Sequence, residues 1–177
     1  MSQGLAVHTL QLDLKYDLNR DDTWFLNGSY AAARLTTPGT SGEFYRYGFL
    51  NGSITNLIQL RHAPISIWWS GGVYWRHGDP SDSDRTAAYV NASATYNLRE
   101  TVQLSAFTRP ELQHYTHDPD GSRQDFNLTV GAQLTWMPNP YVAVVTTAAY
   151  VGNFSTEGDH QYDLFTPSVI LAAQFAF

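Results

Sequence analysis

From Thr86 to Leu98 the chain alternates without a break, with Ala88, Val90, Ala92, Ala94, Tyr96 and Leu98 on one parity and Asn91, Ser93, Thr95 and Asn97 on the other. Side chains of an extended strand point to opposite faces in turn, so this pattern predicts a strand with one apolar and one polar face. Residues 126–136 repeat it, Phe126, Leu128, Val130, Ala132, Leu134 and Trp136 standing against Asn127, Thr129, Gly131, Gln133 and Thr135. Near the start Leu10, Leu12, Leu14 and Tyr16 oppose Gln11, Asp13 and Lys15, so the charges keep to the polar side. Two segments depart from the pattern. Residues 44–60 open with Tyr45, Tyr47 and Phe49 and continue with Leu50, Ile54 and Ile58 on the other parity, which predicts a bulge near Phe49. Residues 141–151 are apolar on both parities, which leaves their orientation undecided.

Turn signals divide the chain, and two kinds of connection alternate. Short ones fall at 19–22, 61–64, 98–101 and 137–140; longer ones, rich in Gly, Pro, Ser and Asp, fall at 36–43, 77–85, 116–125 and 152–163. Each kind recurs about every 40 residues, so the repeating unit is a β-hairpin. Nine strand segments result. The expected fold is all-β, an antiparallel up-and-down transmembrane β-barrel of about 8–10 strands, in a single domain over residues 1–177.

Composition bears on what surrounds such a sheet. No window approaches the roughly 20 apolar residues of a membrane-spanning helix. A spanning barrel gives no such signal, because lipid-facing and lumen-facing residues cancel in any long window. A soluble sandwich also alternates, but its polar faces meet water and carry Lys and Glu. Here they carry small Ser, Thr, Asn and Gly, and the chain has one lysine, Lys15. Aromatics gather near strand ends: Tyr16, Trp24, Tyr96, Trp136, Tyr141, Phe175 and Phe177 beside the short turns or the end, and Tyr45, Tyr47, Trp75, Tyr89, Tyr115, Phe154, Tyr162 and Phe165 beside the long loops. Two interfacial girdles are expected. The net charge of −6, with no basic cluster, argues against a nucleic-acid partner, and zero cysteines exclude disulfides and thiolate chemistry.

The segment "VILAAQFAF" ends on an aromatic, with Val169, Leu171, Phe175 and Phe177 on one parity. It resembles the carboxy-terminal signal of bacterial outer-membrane β-barrel proteins, which the barrel-assembly machinery reads. The resemblance implies an outer-membrane location, with membrane lipid and lipopolysaccharide as surroundings, the terminal aromatic on the periplasmic side and the long loops outside. It also sets a parity problem, because such single-chain barrels normally have an even strand count. Self-association, a missing strand or a miscounted segment are the alternatives, and a carboxy-terminal portion or redesigned fragment of a larger barrel is favoured. The start, "MSQGLAVHTL", lacks the basic and apolar regions of a signal peptide, so an exported protein is expected here in mature or recombinant form.

Chemistry is sparser. The inward charges are expected to be Asp13, Lys15, Arg46, Arg76, Arg109 and Glu111, pairing or hydrated inside a narrow barrel. His114, His117 and Asp118, in "HYTHD", are the sharpest metal candidates, but strand positions three apart face opposite ways. Asp159 with His160, and His77 with Asp79, resemble the acidic and His residues that outer-membrane proteases hold at their rim, without a second constellation to orient them. No Gly-x-Ser-x-Gly elbow or His-x-Ser triplet occurs. Ten of the 16 acidic residues lie in or beside the long loops, which predicts an acidic end. The expected function is a small pore or structural membrane scaffold with no cofactor and no evident catalytic chemistry. A rim hydrolase of lipid or peptide is the alternative, and a soluble β-protein the third.

Overall fold

A computed structural model describes residues 4–36, 43–79, 81, 84–118 and 121–173. Nine strands form one sheet in chain order: β1 (Gly4–Asn19), β2 (Asp22–Thr36), β3 (Glu43–Gln59), β4 (Ile65–Asp79), β5 (Arg85–Arg99), β6 (Val102–Asp118), β7 (Gly121–Asn139), β8 (Val142–Ser155) and β9 (Tyr162–Ala173). Every neighbouring pair is antiparallel, so the hairpin repeat read from the turn residues is the fold. The count of nine stands, and the short turns close within or beside the segments 19–22, 61–64, 98–101 and 137–140.

The long connections are shorter than their composition predicts. Residues 116–125 read as a loop, yet β6 runs to Asp118 and β7 starts at Gly121, with His114 opposite Gln124 and Tyr115 opposite Arg123. Polar residues there extend the hairpin instead of leaving it. Gly121, at φ +124°, takes a conformation that a side chain disfavours. The bulge expected near Phe49 is absent: β3 pairs with β4 in unbroken register from Arg46 to Gln59. Tyr47 and Phe49 instead share the face of Asn51, Ser53 and Thr55, while Leu50 and Ile54 point the other way. In β8 the undecided orientation resolves with Val145, Thr147, Ala149 and Val151 on the face of Gln133 and Thr135.

On the polar face, hydrogen-bonding side chains reach across two strands. Adjacent strands are roughly 4.8 Å apart, yet Tyr74 on β4 donates to Glu111 on β6 at 2.7 Å and Tyr89 on β5 donates to Asn51 on β3 at 3.1 Å. The sheet curls toward that polar face, which is concave. A Cβ at Gly72 would stand 2.6 Å from the Tyr89 ring, and one at Gly131 would stand 2.5 Å from Phe107. These two glycines let aromatic side chains lie flat across the concave surface.

The sheet is open. β1 and β9 each have one neighbour among the described residues. With nine up-and-down strands the first and last run the same way, so their direct pairing would be parallel, unlike every other pair in the sheet.

Candidate functional site: the concave polar face

The buried charges of the concave face, Glu111, Arg123 and Asp125, gather toward the long-loop end. Arg109 and Glu111, two apart on β6, point the same way, and Arg109 Nη2 donates to Glu111 Oε2 at 2.7 Å. Glu111 is buried; its other oxygen accepts from Tyr74 Oη at 2.7 Å and Gln113 Nε2 at 2.6 Å. Arg85 donates from Nε to Tyr74 Oη at 3.1 Å and from Nη1 to Tyr115 Oη at 3.2 Å, and Tyr115 Oη donates to Gln113 Oε1 at 2.8 Å. The guanidinium carbons of Arg109, Arg85 and Arg123 lie 4.8, 5.5 and 3.9 Å from the ring centroids of Tyr89, Tyr115 and Tyr115 respectively. Aromatic faces attract cations, so the tyrosines hold the arginines as well as hydrogen-bonding them. Two polar cavities open along this face, of about 410 Å³ beside Tyr74, Tyr89 and Arg109 and about 380 Å³ beside Tyr115, Arg123 and Asn153.

The expected inward charges fall in three groups. Arg109 and Glu111 join in the network above, and Arg76 stands on the same face with its guanidinium carbon 5.8 Å from the Tyr47 ring centroid. Asp13 and Lys15 lie on the concave parity of the edge strand β1. There Asp13 accepts from Gln11 and from Asn27 of β2, at 2.6 Å each, and Lys15 pairs with Asp17 at 3.0 Å. Arg46 departs. It stands in register between Arg34 and Asp79 and takes the parity of Leu50 and Ile54, on the convex face, because β3 lacks the bulge. Of the terminal signal, Val169 and Leu171 lie on the convex face, each 71% exposed. Phe175 and Phe177 lie outside the described residues.

The girdle residues also divide. At the short-turn end Tyr16, Trp24, Tyr96 and Trp136 are convex, as a belt requires. At the loop end Trp75, Phe154 and Phe165 are convex, whereas Tyr47, Tyr89, Tyr115 and Tyr162 are on the concave parity. Distance from a loop had grouped them; register separates them. Trp24 shares its convex patch with a polar residue that sequence reasoning missed. Asn56 is 2% exposed, donates to Asp22 Oδ1 at 2.6 Å and accepts from Trp69 Nε1 at 3.2 Å, beneath Trp24 and Trp69 packed edge to face.

The histidines regroup around Asp84, which their spacing along the chain did not suggest. His77 Nδ1 is 2.7 Å from Asp84 Oδ2, not paired with Asp79, and His117 Nδ1 is 3.6 Å from the same oxygen. Asp84 is buried and also accepts from the Gly78 N–H, so it ties the β4–β5 connection to the β6 rim. His114 points to the exposed convex side, and the side chain of Asp118 lies outside the described residues. Among the described residues no three His, Asp or Glu stand together as a metal site. Asp159 and His160 belong to a 3-10 turn, Gly158–His160, over the concave rim. Compared with protein-family models, curated proteins and solved structures, the chain matches none of them.

Proposed function

We propose that the protein spans a lipid membrane as the wall of a β-barrel and works as a small pore. The observation that carries this reading is the inversion of burial. Among the described residues five hydrophobic ones are buried, three of them alanines, beside eight buried polar or charged residues. Meanwhile Leu10, Leu12, Val73, Leu112, Val169 and Leu171 are 59–71% exposed. A water-soluble chain of this mass has an accessible surface of about 8,600 Å², whereas this one has 12003 Å². Large continuous apolar surface marks contact with another apolar phase. At 12 to 19 residues, β9 and β7 bracket strand lengths that exceed the roughly 9–11 a bilayer crossing needs.

The concave face would then be the hydrated one, with the polar cavity of about 410 Å³ beside Tyr74, Tyr89 and Arg109 along the passage. Location in a bacterial outer membrane, with barrel-assembly machinery and lipopolysaccharide as partners, follows from the resemblance of the terminal segment and is proposed on that basis. The strand count bears on conductance, since a barrel near eight strands is filled by side chains and a larger assembly leaves a channel. Planar-bilayer recording after insertion tests the reading. Ohmic steps are expected; silent bilayers holding inserted protein would leave a scaffold, and solubility without detergent would overturn membrane insertion itself.

A further inference from the structure

The cavity of about 380 Å³ at the loop end has the construction of a ligand site, and the pore reading does not account for it. Its floor is the concave face of β5–β8, and its rim is formed by the β8–β9 connection. That connection is pinned to the wall: Thr156 N–H donates to Gln124 O at 2.9 Å, Gln161 Nε2 to Ser155 O at 2.9 Å, and Asn153 Nδ2 to His160 O at 2.6 Å. The pinning leaves Asn153 with its amide oxygen buried, lining the cavity, and accepting no hydrogen bond, although the residue is only 5% exposed. A buried acceptor without a donor costs about 1–3 kcal/mol, so this atom marks where a donor from a ligand would fit.

The lining also sets the chemistry of that ligand. Arg123 Nε pairs with Asp125 Oδ1 at 3.2 Å within the lining, and Arg85, hydrogen-bonded to Tyr74 and Tyr115, and Asp159 complete its charged groups. Two positive and two negative charges cancel, so neither an anion nor a cation gains net attraction. A molecule offering both donors and acceptors at close spacing meets the polar atoms that these pairings leave over, Asn153 Oδ1 among them. On the open side Tyr162, 54% exposed, presents an aromatic ring whose face suits an array of C–H groups. Vicinal hydroxyls joined to an apolar C–H face describe a pyranose. We infer that this cavity binds a neutral sugar of one or two rings, with Asn153 and Asp159 accepting from its hydroxyls and Tyr162 stacking on its ring.

The test is titration of the full chain in detergent micelles with maltose and glucose, read by calorimetry and aromatic fluorescence, with glucose 6-phosphate and glucosamine as charged comparators. Saturable binding of a neutral sugar in the millimolar range is expected, with no gain for either charged analogue. Tyr162→Ala, on the exposed edge strand, should weaken it about tenfold while circular dichroism stays unchanged. Asn153→Leu should abolish it but also frees the β8–β9 connection, so the Tyr162 variant is the deciding one. The inference is overturned by lack of saturation up to about 50 mM, by unchanged affinity in Tyr162→Ala, or by tighter binding of a charged analogue. Silent bilayers beside saturable binding would count against the pore and leave this site standing.

Discussion

The two faces of the sheet share one backbone and one set of strands, yet they obey opposite rules. On the convex face, large apolar side chains stand apart, mostly exposed and touching little. On the concave face, small residues leave room for Arg, Tyr and Glu to reach across two strands and satisfy one another. Each face has exceptions, and the exceptions show the rule. The polar Asn56 is found on the convex side with both ends of its amide paired and two indoles beside it. Phe107 is found on the concave side lying over Gly131, where any Cβ would collide with it. These two are admitted where their neighbours are shaped for them; at the edge strands the rule lapses, since Val7, Leu164 and Ile170 take the concave parity and stay 53–56% exposed.

The comparison breaks most sharply at Glu111. Glu111→Leu would strip the acceptor from Tyr74, Gln113 and Arg109 together. Loss of one member of a buried ion pair costs about 3–5 kcal/mol, and Arg109 is 47% exposed, so solvent screening places the expected loss near the lower end. Urea unfolding in vesicles measures it; Glu111→Gln, which keeps acceptors, should lose less. A loss below that of an ordinary surface substitution would show that the network does not hold the concave face. The second largest effect compares the faces directly. Val90, convex and 48% exposed, and Ser93, concave on the same strand, are both replaced by Arg. At the middle of a lipid-facing strand the Arg costs about 2–4 kcal/mol, whereas a hydrated concave position should lose much less. Equal losses for Val90→Arg and Ser93→Arg in vesicles would remove the assignment of lipid to the convex side.

Strands and turns were legible in the sequence because a period of two survives in ten residues, and β5, β7 and β1 show it without interruption. Face assignment failed where residue type was a poor guide to polarity. Tyr47 and Phe49 read as an apolar face, but a concave surface with arginines has partners for aromatic rings, so no bulge is needed and Arg46 turns outward. The loop at 116–125 was misread because Asp, Gly and Ser favour turns locally while cross-strand pairing decides how far a hairpin extends. Within the candidate site, Arg109 and Glu111 were legible because both lie on one strand, two apart. Tyr74, Arg85 and Tyr115 were not, since they come from three strands and meet only once register is set. Asn56 gave no signal at all, as an Asn among Ile and Leu reads equally well as a turn residue.

Asn56 therefore offers the finest test of how the convex face tolerates polarity. Replacing it by Leu supplies the apolar side chain that the face elsewhere prefers, so burial alone predicts a gain. Hydrogen-bond accounting predicts the opposite, because Asp22 loses its amide donor and Trp69 Nε1 loses its acceptor. Removing one partner leaves the other's desolvation uncompensated at about 1–3 kcal/mol; Asp22 lies near the short turn and can turn to water, so the loss should sit near the low end. The distinguishing variant is Asn56→Leu combined with Trp69→Phe, which deletes the stranded N–H as well. If the pairing explains the buried Asn, the double variant recovers stability relative to Asn56→Leu, and the cycle gives a coupling of about 0.5–1.5 kcal/mol. Additive losses would mean that the two indoles cover Asn56 by packing alone, and that the convex face admits a polar group wherever aromatic rings shield it.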